Sequence, residues 1–358
     1  MIAVAVSGGV DSLAALLILR AQGHEVLALH ALFTNPVQSS QKKLAETCAA
    51  INIPLKVIDL RQEFWDLVIT PTLRELQRGA TPNPCMLCNR HLKFGLILDY
   101  ALNLGCTHYA TGHYASLKSD GTTYFVHKAL DQQKDQSYFL SLTDPKRLKH
   151  CLFPLSNRQK KSCREIVAAA GISAVEPYES QDVCFYPSPA EQANYFKTQW
   201  AKLNLSVPLK GPILLWDVGV RLKEIGTHQG LWRYTEGQRR GLGIPYKEGL
   251  YVLAKDYHTN SLIVGPRSFL GMTSCITAAP NIFYDDIASI SQVFVKLRYR
   301  QTPAPCHALI TQEHITLNFD PPVFPTACGQ VATLLDAQGS ILAAGTVTEL
   351  TNIVPKLV

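Results

Sequence analysis

A chain of 358 residues that is 47% hydrophobic and 17% charged is long enough for two or three globular domains, each with its own core. No run approaches the ~20 apolar residues of a membrane span, and residues 1 to 20 read as core strand and helix rather than a leader, so the expected location is cytoplasmic. Ten irregularly spaced cysteines argue against a secreted disulfide framework and for thiol chemistry or metal binding, while a net charge of +6 leans toward a polyanionic partner.

In chain order, the apolar run Ile2 to Val6 breaks into Ser7-Gly8-Gly9-Val10-Asp11-Ser12 and then into a helical pattern from Leu13 to Leu19. Adjacent glycines let successive backbone N–H groups converge on an anion, and the helix start behind them adds unpaired donors, so this turn suits phosphate. It is not a Walker loop, because no lysine follows the second glycine. Asp11 puts a carboxylate where Mg²⁺ can sit between phosphates; the plainer alternative is a Gly-Gly turn with Ser12 as helix cap. Strands over 25–33 and 55–60, with a helix over 38–51 between them, predict a parallel, doubly wound α/β sheet holding its ligand at the strand C-terminal edge. Thr34 lies just past the second strand, either as a contact at that edge or as an ordinary loop residue.

Two prolines in Thr81-Pro82-Asn83-Pro84 fix an extended loop before Cys85-x-x-Cys88, which opens a helix predicted from about Asn89 to Asn103. A thiol at a helix start beside Arg90 is expected to ionise more readily, which serves a nucleophile, a persulfide carrier or a metal ligand alike. Cys106 and His108 have zinc-like spacing, but they run straight into the strand Tyr109-Ala110-Thr111, where burial is commoner. Gly112 ends that strand at the same edge, where it either admits a base or ribose or simply turns the chain. After a hairpin around Asp120-Gly121 comes Lys134-Asp135-Gln136-Ser137-Tyr138, either a nucleotide contact or a helix start capped by Asp135. The basic stretch 144–172 is either a solvated face or a phosphate-tracking surface, and Cys184, beside Phe185 and Tyr186, taken alone reads as buried and inert.

From about 205 the pattern becomes β-rich, with a glycine-punctuated basic segment over 226–243 and Gly265-Pro266 as a linker into a last domain. The expected divisions are 1–204, 205–266 and 267–358. Alternation over 293–300 predicts one strand face carrying Lys296, Arg298 and Arg300, suited to a phosphate backbone or simply solvated.

The string SGGVDS at 7–12 resembles the PP-loop of the N-type ATP pyrophosphatases. Together with PNPCMLCNRHLKF at 82–94, ATGHYA at 110–115, KDQSYFL at 134–140, SQDVCF at 180–185, GTHQGLWRYTEGQRRGLG at 226–243 and RYRQTPAPC at 298–306, it resembles the tRNA-specific 2-thiouridylase family over essentially the whole chain. The resemblance implies an adenine nucleotide alpha hydrolase-like domain, a small central β-rich domain and a C-terminal β-barrel. It implies that ATP activates the C2 oxygen of the wobble uridine of tRNAs for Lys, Glu and Gln, and that sulfur from a persulfide or sulfide donor protein replaces that oxygen. By the same resemblance, Cys184 is expected to carry the persulfide, with Cys88 as its nucleophilic partner. The family's ATP and Mg²⁺ contacts map onto Ala5, Val6, Ser7, Gly8, Gly9, Val10, Asp11, Ser12, Thr34 and Gly112. Its tRNA contacts map onto Asn83, Pro84, Cys85, Lys134, Asp135, Gln136, Arg298 and Tyr299. Two positions depart from the family: Cys85 replaces a common Asp that is the usual acid–base candidate, and Thr34 replaces a larger apolar residue. With Cys85 present, Cys85, Cys88 and Cys184 could instead ligate a 4Fe–4S cluster. A PP-loop amide-forming synthetase leaves the two cysteine motifs unexplained, and a non-catalytic zinc-stabilised RNA-binding protein leaves SGGVDS idle.

Overall fold

The computed structural model describes residues 1–35, 38–172, 183–185, 191–216, 222–284, 286–287, 290 and 292–353. Ser180, Gln181, Asp182 and Tyr186 lie outside the described residues.

The N-terminal sheet contains β1 (Ile2–Ala5), β2 (Val26–Leu32), β3 (Leu55–Asp59), β4 (His108–Ala110) and, beyond a hairpin of β5 (Ser116–Ser119) and β6 (Tyr124–His127), β7 (Cys151–Leu152). Its order is β3-β2-β1-β4-β7 with every pair parallel, as β1 with both β2 and β4. The order reverses between β1 and β4, so the crevice over their C-terminal ends is where such sheets take their ligand. Ala3 and Val4 are fully buried on opposite faces of β1, because helices cover both sides. One of those helices is α1 (Val10–Ala21), whose Leu13, Ala14, Ala15 and Leu16 are fully buried.

The cysteine helix starts earlier than predicted. It opens at Pro84, where proline's missing N–H costs nothing, and runs as Pro84–Leu87, a π-helical Cys88–Ile97 and Leu98–Asn103. Both motif cysteines therefore lie within helix. The hairpin forms as expected, with the Asp120 carboxylate accepting from the backbone N–H of Thr122 and Thr123.

A second sheet has the order β10-β11-β8-β9, comprising β8 (Gly211–Leu215), β9 (Lys223–His228), β10 (Leu250–Asp256) and β11 (Ser261–Pro266). Gly265 and Pro266 are not a linker but the paired end of β11, opposite Tyr251 and Leu250. The last sheet is a seven-stranded antiparallel, near-closed barrel, β12 (Met272–Ile282), β13 (Phe294–Lys296), β14 (Ala304–Pro305), β15 (His307–Ile310), β16 (His314–Val323), β17 (Val331–Leu335) and β18 (Ile341–Asn352). Three register shifts between β12 and β18 supply the bends that curl it. The strand predicted over 293–300 stops at Lys296, and Arg298 and Tyr299 sit in the following turn, so the three cations do not share one solvated strand face.

The three parts meet around one loop. Thr81 N–H donates to Cys328 C=O at 2.8 Å, and Gln330 Nε2 donates to Thr81 C=O at 2.7 Å. Lys255, wholly buried, donates to the carbonyls of Gly79 and Tyr234 at 2.6 and 3.0 Å and pairs with the buried Glu236 carboxylate at 3.5 Å. Loop 79–83, which delivers Cys85 and Cys88, is thus held from the central and C-terminal parts. Tyr138 is fixed likewise, its hydroxyl donating to Val331 C=O at 2.9 Å.

Candidate active site

The nest forms directly after β1. Gly8 takes φ +89°, a conformation that disfavours a side chain, and Gly9 precedes the first turn of α1. Ser12 is not the helix cap. Its hydroxyl donates to Gly9 C=O at 2.9 Å and accepts from Ser7 N–H at 3.2 Å, tying the loop into a ring. Val6 continues β1 by donating to Leu29 C=O, and Ala5 pairs with Leu29, so the nest hangs from a rigid central strand. Thr34 is exposed two residues past β2, at the same edge.

Gly112 follows β4 in a tight space. A Cβ there would lie 2.7 Å from Asp11 C and 2.8 Å from Ser12 N, so the chain leaving β4 is packed backbone to backbone against the start of α1. Asp11 is also held by two groups that sequence reasoning did not single out. Lys160 Nζ donates to both carboxylate oxygens at 2.7 Å, and the buried Tyr114 hydroxyl donates to Oδ1 at 2.8 Å. Lys160 was visible only as one charge in a basic run. Its near-complete burial at the start of Lys160–Ala169 could not be read from composition. Asp11, a half-exposed hard oxygen ligand beside a phosphate nest, fits Mg²⁺.

The thiols gather nearby. Cys88 is buried, Cys85 and Cys184 are exposed, and Phe185 anchors the second motif by packing into the same cluster as Cys88, against Phe64 and Tyr195. Burial pushes the Cys88 thiol up to about 12, Lys93 opposes this, and Cys184 and Cys85 add to the rise. Cys85 is raised by the protein around it despite its exposed edge, with Lys93 again opposing. This overturns the expectation of easy ionisation at the helix start: desolvation outweighs the nearby cation. Burial and then Lys93 also hold His113, which follows β4, well below its ordinary value, so its ring is neutral. Among the described residues, no three Cys, His, Asp or Glu side chains are grouped to hold a metal ion.

The remaining expected contacts converge as well. Lys296 Nζ lies over the rings of Tyr138 and Tyr299 at 5.9 and 5.7 Å, and Tyr299 packs on Phe139 with centroids 4.6 Å apart. Asn89 Nδ2 donates to Phe139 C=O at 2.9 Å, which ties this face to the cysteine helix. Lys134 is half-exposed and acts electrostatically on Tyr299. Asp135 instead turns inward: it is buried and accepts from Ala129 N–H, Ser137 N–H and Ser137 Oγ. Gln136 Oε1 accepts from Tyr114 N–H, linking this segment to the Asp11 network. Arg298 is half-buried, donates through Nη2 to Glu236 C=O at 2.6 Å, and is depressed chiefly by desolvation. Asn83 and Pro84 begin the cysteine helix, Asn83 half-exposed and Pro84 buried.

An anion nest at the switch point of a doubly wound sheet, with an acid at its helix start, defines an ATP-using α/β enzyme. Three family profiles match the chain in order: tRNA methyl transferase HUP domain over residues 1–188, tRNA methyl transferase PRC-barrel domain over 205–266, and aminomethyltransferase beta-barrel domain over 272–347. The chain is 40% identical over 354 residues to the tRNA-specific 2-thiouridylase MnmA of Nitratidesulfovibrio vulgaris strain Miyazaki F, covering 97% of this chain and 98% of that one. It is 41% identical over 364 residues to the MnmA of Oleidesulfovibrio alaskensis, covering 98% and 99%. The chain belongs to the tRNA-specific 2-thiouridylase family, MnmA. The solved structure of the U34-tRNA thiolase NcsA from Methanococcus maripaludis with its [4Fe-4S] cluster aligns over 57% of this chain and 66% of its own at 16% identity and a TM-score of 0.34, too remote to transfer any residue.

Proposed function

We propose that this protein is an ATP-dependent tRNA-uridine 2-sulfurtransferase acting on the wobble uridine of tRNAs for Lys, Glu and Gln in the cytoplasm, with catalytic, central and barrel parts at 1–204, 205–266 and 267–358. An amide-like carbonyl oxygen leaves poorly, so the uridine O2 first attacks the α-phosphorus of ATP and pyrophosphate departs. Ala5 through Ser12 receive the phosphates, with Thr34 and Gly112 bordering the site. Mg²⁺, when bound with ATP, neutralises phosphate charge, and Asp11 would be its protein ligand. Lys160 must exchange its Asp11 contact for the incoming phosphates or remain beside both.

The sulfur step needs only thiols. A donor protein leaves a persulfide on Cys184, and its outer sulfur attacks C2. The C2–O bond breaks and AMP leaves. Cys88, deprotonated for the step, attacks Cys184 Sγ, releasing the sulfur on the uridine and forming a Cys88–Cys184 disulfide that an external thiol reductant reopens. The packing of Cys88 into one buried cluster with Phe185, the residue that follows Cys184, supports this reading. Asn83, Pro84 and Cys85 border the target base, while Lys134, Gln136, Arg298 and Tyr299 meet the RNA and Asp135 buttresses them from within.

The test is to supply ATP, unmodified tRNA and a persulfide donor, and to measure 2-thiouridine by mass spectrometry alongside pyrophosphate. Pyrophosphate release that needs tRNA, with one thiolated uridine per release, is the expected result. Release without tRNA, or stimulated by ammonia, would favour an amide synthetase. Iron and sulfide stoichiometry in anaerobically purified protein is expected to be negligible.

A further inference from the structure

Phe324, between β16 and β17, is 44% exposed, whereas Phe283 and Phe319 of the barrel are buried. Its ring is not loosely placed. Gly237, at φ +81°, abuts its edge so closely that a Cβ there would sit 2.6 Å from two ring carbons. The guanidinium carbon of Arg298 lies 5.5 Å from the ring centroid, and Arg298 is itself pinned to Glu236 C=O. A cation and a glycine thus hold the ring while much of its surface faces solvent.

Arg239 and Arg240 are exposed just after Gly237, and Arg298 links the ring to the Lys296, Tyr299 and Phe139 stack. A fixed aromatic ring in a cationic rim is the arrangement that holds unpaired nucleobases, whose flat faces stack while the cations follow the phosphates.

We propose that Phe324 is a stacking platform for an unpaired base of the RNA substrate, separate from the base that reacts. The proposal rests on the tRNA reading above and adds a contact which that reading does not contain. Stacking has its own signature: it needs a π face, and it releases no counterions.

The experiment measures binding of unmodified tRNA to the full-length protein across a salt series, for the wild type and for Phe324→Ala, Phe324→Leu and Phe324→Trp. Phe324→Ala is expected to weaken binding roughly 5- to 150-fold with an unchanged salt slope, Phe324→Leu to remain weak, and Phe324→Trp to bind like wild type. Wild-type affinity in Phe324→Ala, or full rescue by leucine, would overturn the proposal and leave the tRNA reading standing. A wild-type protein that binds no tRNA would overturn both. Should a variant misfold, a photoreactive benzophenone side chain at position 324 provides the second measurement. A crosslink to a tRNA base other than the thiolated uridine supports the platform; a crosslink to protein, or none, refutes it.

Discussion

Gly112→Ala tests whether the nest depends on backbone packing. The glycine's φ is one that any residue can adopt, so the only obstacle is space. The added methyl would lie 2.7 Å from Asp11 C, 2.8 Å from Ser12 N and 2.9 Å from Asp11 O, all of them backbone atoms that cannot rotate away. Restoring ordinary carbon contacts requires the start of α1 and the end of β4 to separate by about 0.8 Å. Such overpacking costs about 1–3 kcal/mol of stability. It also moves the N–H groups of the nest relative to the phosphates, and a displacement near 1 Å is worth on the order of 10²-fold in rate. The expected result is a lowered Tm, tRNA-dependent pyrophosphate release reduced on the order of 10²-fold, and tRNA affinity within about twofold of wild type, since the RNA face is built elsewhere. Wild-type pyrophosphate release from a folded Gly112→Ala protein would refute the argument that this contact sets the nest.

Asp11→Ala should abolish tRNA-dependent pyrophosphate release with tRNA binding nearly intact; undiminished release would end the ATP assignment. Arg298→Ala should weaken tRNA binding and reduce the salt slope by about one, read from the same salt titration as the wild type. Cys88→Ser and Cys184→Ser should each lose thiolation while retaining pyrophosphate release, whereas Cys85→Asp, which restores the commoner family residue, should keep thiolation with a persulfide donor; loss of both activity and bound iron in that variant would instead point to a cluster. Because burial raises Cys88 from 9.0 to about 12, its thiolate is scarce at neutral pH, and iodoacetamide labelling of Cys88 should rise about tenfold per pH unit between 7 and 10. The same shift favours the protonated folded state, so its contribution to stability is complete below 9.0 and fades as pH climbs toward 12.

The sheet and the nest were legible in the sequence because β1 and α1 obey local rules: an apolar run, a glycine turn and a helical period. The pairing of Cys88 with Cys184 is an expectation from resemblance alone, since nothing local connects residues so distant in the chain. What escaped was decided by tertiary environment. Lys160 looks like any lysine in a charge run until folding sets it against Asp11, and Cys88 looks acidified by its helix start until desolvation reverses the sign. The alternation through Arg298 suggested a strand, but the chain turns after Lys296 and sends the guanidinium toward Glu236. Asp135 sat in a string expected to touch RNA, and its carboxylate is consumed by three internal donors.

The clasp on the 79–83 loop has a consequence for biosynthesis. The N-terminal sheet can form early as the chain leaves the ribosome, so the nest and its Asp11 precede the rest of the site. Thr81 acquires its backbone partners only when Cys328 and Gln330 emerge, and Tyr138 waits for Val331. The surface that would admit the substrate is therefore completed last, by strands near the far end of the chain. A nascent chain whose nest has formed therefore still lacks the contacts that fix loop 79–83 and Tyr138.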